Sequence, residues 1–262
     1  MGTDRRSDQT VPGRAWKLIA LAHTILFLAV INFGSSRLDE PLSLVRLGLL
    51  LGQLSGVSYL VIRIRVLGLI AQSLPWVFAA ITWFTIKRIM QWASNEAASA
   101  WWACLLASQV MTILIAASLV DHRQERRPLS IGAFLHFTTL SASAFAIILL
   151  GSRSDVWSLE AFRWDVCSIM CAVGVTTGML ATGSVYVYSV RRRVLQASLV
   201  AGMVLLGGIT AIILYTLFQS TGIYMGASDL PFLFGSHTLV VLVAMGMSRL
   251  IMEPATLPKH AA

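Results

Sequence analysis

The sequence predicts an all-α, polytopic membrane protein with about eight transmembrane helices. Of its 262 residues, 56% are hydrophobic and only 12% are charged, and the mean hydropathy is +0.75. So much apolar surface cannot be buried in a single aqueous core, and part of it must therefore face lipid. The apolar residues also occur in runs of roughly 20, the length that an α-helix needs to cross a hydrocarbon core of about 30 Å.

Eight apolar runs reach this length. The predicted spans are Ala15–Phe33, Leu42–Ile62, Val66–Ile86, Ala100–Val120, Pro128–Leu150, Asp165–Tyr188, Val194–Phe218 and Pro231–Ile251. The shortest break, Ile62-Arg63-Ile64-Arg65, predicts a tight turn because unpaired backbone groups cannot remain in lipid. The chain therefore divides into a tail at 1–14, a unit of four spans at 15–127, a second unit of four spans at 128–251 and a tail at 252–262.

The Lys and Arg residues predict the orientation of these spans. An even number of spans places both termini and the second, fourth and sixth loops on one side, and fourteen of the 20 Lys and Arg residues belong to that side. The positive-inside rule makes it the cytoplasmic side. We therefore expect an inner-membrane protein with both termini in the cytoplasm. The net charge of +8 is spread over short loops, so the expected partners are the lipid bilayer and other membrane proteins, not nucleic acid.

A weak internal similarity raises the hypothesis of two similar four-helix halves. Without gaps, residues 63–121 align with residues 191–249, which pairs an Arg-x-Arg-Val-Leu sequence in each half and also pairs Leu105 with Leu233 and Ser108 with Ser236. Upstream, with length changes, Gly52 and Gly56 align with Gly174 and Gly178. The alternative is chance, because apolar segments share many residues and topology alone aligns loop arginines.

Glycines spaced by four residues predict where helices approach closely. They are Gly48, Gly52 and Gly56 in the second span and Gly174 and Gly178 in the sixth. Small residues at this spacing lie on one helix face and let two backbones come close together, which matters in lipid because no hydrophobic force drives helices together. Packing within the chain and dimerisation are the two interpretations, and the first is the commoner.

Two histidines at similar depth give the sharpest cofactor hypothesis. His23 and His136 each lie about eight residues from the cytoplasmic end of their spans, or roughly 12 Å deep at 1.5 Å per residue. A pair of imidazoles at equal depth is able to hold haem iron in a helical bundle. The alternative is that each histidine forms a hydrogen bond to a neighbouring helix.

Neutral polar residues within the spans are candidates for lining a solute path. They are Gln72, Ser108, Gln109, Thr112 and His237. No lysine or carboxylate lies deep in a predicted span, which argues against a charge-relaying pump. Cys167 and Cys171 lie one helical turn apart, but buried cysteine usually acts as a small apolar residue. The sequence therefore predicts no metal site.

Three classes of function remain open. The first is a structural or accessory subunit that packs with membrane partners, which agrees with the glycine faces and the short loops. The second is a carrier or channel for a small neutral solute, and the third is a haem-binding protein that uses His23 and His136. No nucleotide-binding or nucleophile motif is present, so catalysis is not expected.

Overall fold

The computed structural model describes residues 41–63, 68–89, 96–125, 163–190 and 192–252. Regular structure in these ranges is α-helical. The six helices are α1 (Pro41–Arg63), α2 (Gly68–Ile89), α3 (Glu96–Glu125), α4 (Trp164–Ser189), α5 (Arg193–Ser220) and α6 (Asp229–Met252). They coincide with six of the eight predicted helical segments to within five residues at each end. The first and fifth predicted spans, Ala15–Phe33 and Pro128–Leu150, lie outside the described residues.

Four of these helices are long and apolar enough to cross a membrane. The segments concerned are Ala98–Ala117 in α3, Trp164–Tyr188 in α4, Arg193–Ser220 in α5 and Asp229–Met247 in α6. Helices α1 and α2 contain 23 and 22 residues and pack among the others. The expected class, a helical membrane protein, is therefore confirmed.

Most hydroxyl side chains in these helices donate a hydrogen bond to a carbonyl of their own helix. Thr82 donates to Phe78 O at 2.8 Å, and Thr176 donates to Ala172 O at 2.8 Å. The same bond to the residue four positions earlier is made by Ser58, Thr85, Ser108, Thr112, Ser184 and Thr216. A hydroxyl that is paired in this way has no unmet hydrogen bond when it faces apolar surroundings.

Two helix pairs form the most extensive contacts, α3 with α4 and α1 with α6. Helix α2 packs on α1 and α3, and α5 packs on α4 and α6. Further contacts join α1 to α3, α4 to α6 and α1 to α4. A large apolar core cluster draws residues from all six helices. Helix α5 is at the edge of this arrangement: it buries only a stripe of five residues, Met203, Gly207, Ala211, Leu214 and Phe218, and leaves its other faces exposed.

The end of α5 is fixed by a Schellman motif. The N–H of Gly222 donates to Gln219 O at 3.2 Å, and that of Ile223 donates to Phe218 O at 3.3 Å. Gly222 has φ +75°, the left-handed conformation that this motif requires and that glycine adopts without strain. Arg163, just before α4, donates 2.6 Å hydrogen bonds to Asp165 Oδ2 and to Thr221 O, so it joins the start of α4 to the end of α5.

Candidate functional site

A polar cluster lies in the interior, where α1, α3 and α6 meet. It consists of Ser55, Gln109 and His237, and each of these residues has 0% of its surface exposed. Gln109 Nε2 donates to Leu51 O at 2.9 Å and to Ser55 Oγ at 2.7 Å. Ser55 Oγ lies 3.0 Å from His237 Nε2. The cluster therefore links three helices through side-chain hydrogen bonds.

One tautomer of His237 gives the Ser55 hydroxyl an acceptor. Ser55 Oγ accepts a hydrogen from Gln109, so its own hydrogen is free to be donated to His237 Nε2. An imidazole nitrogen that accepts a hydrogen bond is unprotonated, and the ring proton of the neutral form then lies on Nδ1.

Two atoms of the cluster have no hydrogen-bond partner among the described residues. They are Gln109 Oε1, which is an acceptor, and His237 Nδ1, which is a donor in the tautomer above. The amide nitrogen and oxygen of the buried Gln53 also have no hydrogen-bond partner among the described residues. An unpaired buried polar group costs about 1–3 kcal/mol. The cluster therefore contains one acceptor and one donor without a partner among the described residues, and Gln53 adds two further unpaired amide atoms.

Close helix crossings flank the cluster on both sides. A Cβ atom added at Gly48 would overlap Ser236 Oγ and Leu233 O, and one added at Gly174 would overlap Ser108 Oγ and Leu105 O. One turn further along, a Cβ at Gly52 would lie 2.7 Å from His237 O, and one at Gly178 would lie 2.7 Å from Thr112 Cβ. At these four positions only glycine permits the observed approach of backbones. The fifth predicted packing glycine, Gly56, is buried in α1.

These contacts also show the relative direction of the helices. Moving four residues along α1, from Gly48 to Gly52, moves the contact on α6 from Ser236 to Val240. The same step from Gly174 to Gly178 on α4 moves the contact on α3 from Ser108 to Thr112. Both contacts advance in the chain direction, so the helices of each pair are parallel.

The predicted solute-path residues have different positions. Gln109 and His237 are brought together, with their Nε2 atoms 3.5 Å apart. Ser108 and Thr112 lie on the face of α3 that packs on α4, and their hydroxyls bond to carbonyls of α3. Gln72 is in α2, but its side chain lies outside the described part of the chain. The haem candidates His23 and His136 also lie outside the described residues, so the haem site stays a prediction.

Two interhelical contacts were not expected from the sequence. Ser55 bridges Gln109 and His237, and the hydroxyls of Tyr59 and Thr182 lie 2.5 Å apart between α1 and α4. Spacing gives a signal for the first: Ser55 follows Gly52 by three residues, so it shares the helix face that approaches α6. For Tyr59 the sequence carries no comparable signal.

The three cysteines of the chain lie together where α3 packs on α4. Cys171 Sγ lies 3.8 Å from Cys104 O, and Cys104 packs against the small buried cluster that contains Cys167. All three are free thiols. Within the described ranges, no three His, Cys, Asp or Glu side chains have a geometry that could hold a metal ion.

Helix composition and packing define the class, a helical membrane protein with a buried polar cluster. Comparison with known proteins finds no match to a protein family, a curated protein or a solved structure.

Proposed function

We propose that this protein is a structural or accessory subunit that acts by packing against other membrane proteins. The observation that carries the proposal is the use of its interior polar residues. Ser55, Gln109 and His237 are fully buried and bond to one another between helices, and Ser108 and Thr112 pack against glycines. Side chains of this kind hold helices together, whereas those of a solute path would face an open passage.

The connections between the described helices support the same role. Only residues 190–192 separate α4 from α5, and residues 221–228 separate α5 from α6. Backbone groups of the second connection form local hydrogen bonds. Gln219 Nε2 donates to Met225 O at 3.0 Å, and the Gly226 N–H donates to Asp229 Oδ2 at 2.7 Å. Neither connection is long enough to form a folded site outside the membrane.

The proposal includes eight spans with both termini on the cytoplasmic side of the inner membrane. The parallel direction of α3 and α4 supports the count, because two membrane-spanning helices that run in the same direction need a return crossing between them along the chain. The predicted fifth span, Pro128–Leu150, would provide this return. As the second, fourth, sixth and eighth spans, helices α1, α3, α4 and α6 would all start on the outer side, which agrees with the parallel α1·α6 and α3·α4 pairs.

The proposal also includes two similar halves, for which two features provide support. If α1, α2 and α3 are matched with α4, α5 and α6, each helix–helix contact described above has a counterpart between the matching helices. The contact of α1 with α2, for example, corresponds to that of α4 with α5. Ser108 and Leu105 meet Gly174 as Ser236 and Leu233 meet Gly48, which keeps the register of the sequence alignment. By these contacts Gly48 and Gly52 correspond to Gly174 and Gly178. The sequence alignment had instead matched Gly52 and Gly56 with Gly174 and Gly178, a difference of one helical turn.

A test of the accessory role is the composition of the complex extracted in mild detergent. We expect a tagged chain to remain bound at fixed stoichiometry to a specific membrane protein through size-exclusion chromatography, and the partner to lose stability when this chain is deleted. Extraction as a lone chain whose deletion changes no other membrane protein would contradict the proposal.

A carrier for a small neutral solute is the second candidate, because Gln109 Oε1 and His237 Nδ1 remain unpaired in the interior. A buried donor and a buried acceptor would recognise a molecule that offers both groups. Uptake of urea or glycerol into vesicles containing the purified chain tests this function. Uptake that is lost in Gln109→Leu would favour the carrier over the accessory role.

The haem hypothesis has a simple test of its own. A bis-histidine site at His23 and His136 would give the purified protein a Soret band that both His23→Ala and His136→Ala remove. Colourless protein from haem-supplemented cells would exclude it.

A further inference from the structure

We propose that Cys104, Cys167 and Cys171 form a redox-active thiol site, in which Cys104 makes a reversible disulfide bond across the contact between α3 and α4. The chain has three cysteines, and two helices that are distant in sequence bring all of them to one place. The inference does not depend on the accessory role.

The positions of the three thiols make Cys104 the shared partner. Cys167 and Cys171 are four residues apart, so both side chains point to the same face of α4. Cys104 on α3 lies opposite them: Cys171 Sγ is 3.8 Å from Cys104 O, and Cys104 packs against the buried cluster that contains Cys167. Cys104 and Cys171 are partly exposed and Cys167 is buried. A bond with Cys171 is therefore the more accessible one, and exchange can then transfer it to Cys167.

The helix contact next to this site keeps the thiols in place. Gly174 lies three residues after Cys171, and its close approach to Leu105 O and Ser108 fixes α3 against α4 within one turn of the cysteines. Trp102 and Val166 beside them belong to the buried core. Because neither helix is free to move away, formation of the bond demands little ordering of the chain.

The location of the thiols indicates the class of oxidant. Cys104 and Cys167 lie six and three residues inside the apolar segments that start at Ala98 and Trp164, which is roughly 9 Å and 4.5 Å of helix. A lipid-soluble quinone reaches this depth. In the reaction two S–H bonds break and one S–S bond forms, while the quinone accepts two electrons and two protons and becomes a quinol.

The test uses the full-length protein in lipid vesicles, with a protease recognition site inserted between Glu125 and Arg163. Cleavage separates Cys104 from Cys167 and Cys171, so only a bond made by Cys104 keeps the two fragments together in denaturing gels. After treatment with decylubiquinone and cleavage, we expect one band of full-length mass that separates into two when dithiothreitol is added.

Variants assign the bond to its partners. C104S and the double variant C167S/C171S should each lose the linked band, whereas C167S and C171S alone should keep it. Two separate fragments from the wild type after quinone treatment would overturn the proposal. A linked band that forms with oxidised glutathione but not with decylubiquinone would overturn the membrane oxidant, and a disulfide-linked dimer in its place would overturn the pairing within one chain.

Discussion

Gln109 on α3 and His237 on α6 meet in the interior with their Nε2 atoms 3.5 Å apart, and Ser55 of α1 contacts both. In the proposed alignment of two halves these residues occupy equivalent positions, 128 residues apart. If the halves are related by a two-fold axis, as proposed, two equivalent side chains at that axis would meet in this way. Because His237 contacts both Ser55 and Gln109, a substitution of His237 tests the whole cluster.

Replacing His237 by Leu should destabilise the protein, because the Ser55 hydroxyl would lose its acceptor in a buried environment. The expected loss is about 1–3 kcal/mol in the free energy of unfolding. His237→Gln should cost less, since a glutamine amide oxygen is able to accept the same hydrogen. Unfolding in mixed micelles with increasing dodecyl sulfate measures both changes.

A double-mutant cycle with Ser55→Ala isolates the bond itself. If Ser55 and His237 interact directly, the loss in the double variant should be smaller than the sum of the two single losses. Additive losses would show that the hydroxyl and the imidazole contribute independently, which would argue against the bond.

Gly174→Ala should weaken the contact between α3 and α4. The new methyl group would overlap Leu105 O, a backbone atom that cannot rotate away, so the helices would have to separate. Overpacking of this kind costs typically about 1–3 kcal/mol. The matched control is Gly235→Ala in α6, where a Cβ has no neighbour within 4 Å; there we expect an unchanged or slightly higher midpoint of unfolding.

Gly222→Ala should destabilise the end of α5 through the backbone. The φ of +75° at this residue costs a residue with a Cβ roughly 1 kcal/mol. Asparagine tolerates this conformation better, so Gly222→Asn should lie between glycine and alanine in thermal stability. Equal melting temperatures for all three residues would show that this turn does not limit stability.

The Arg163 side chain pairs with Asp165 and also donates to Thr221 O. The variants Arg163→Gln and Asp165→Asn distinguish these two interactions. Both residues are exposed at the start of α4, where an ion pair between them contributes little to stability. Arg163 also donates to Thr221 O, so its loss should increase hydrogen exchange in residues 221–228, whereas Asp165→Asn should leave that exchange unchanged. Equal exchange in the two variants would assign no role to the bond with Thr221.

Labelling of single cysteines tests the proposed topology. In a chain whose native cysteines are replaced by serine, Tyr224→Cys should react with a membrane-impermeant maleimide added outside intact cells, since Tyr224 is 94% exposed in the connection between α5 and α6. Arg192→Cys should react only after permeabilisation. The reverse pattern would invert the orientation inferred from the Lys and Arg residues.

The positions of the six described helices were predictable from the sequence, because segments that cross a membrane must be continuous apolar runs. Glycines spaced by four residues also lie on helix faces that come close in the structure. Their partners were not predictable, since an interior face and a lipid face are equally apolar, so periodicity does not separate them. Nothing in one sequence places Gly48 opposite Ser236, or brings Cys104 to Cys167.

Some polar side chains bond within their own helix and others bond to a neighbouring helix. The two groups differ in when their hydrogen bonds can form during synthesis. Thr82, Thr85 and Thr176 are satisfied within their own helix, so each can enter the bilayer before any neighbour exists. The Gln109 amide has its acceptors on α1, which is made earlier, whereas the partner of Ser55 is His237 on α6, which follows the other described helices in the chain. A chain truncated before α6 would therefore lack the bond between Ser55 and His237, while the bonds of Thr82, Thr85 and Thr176 would still form.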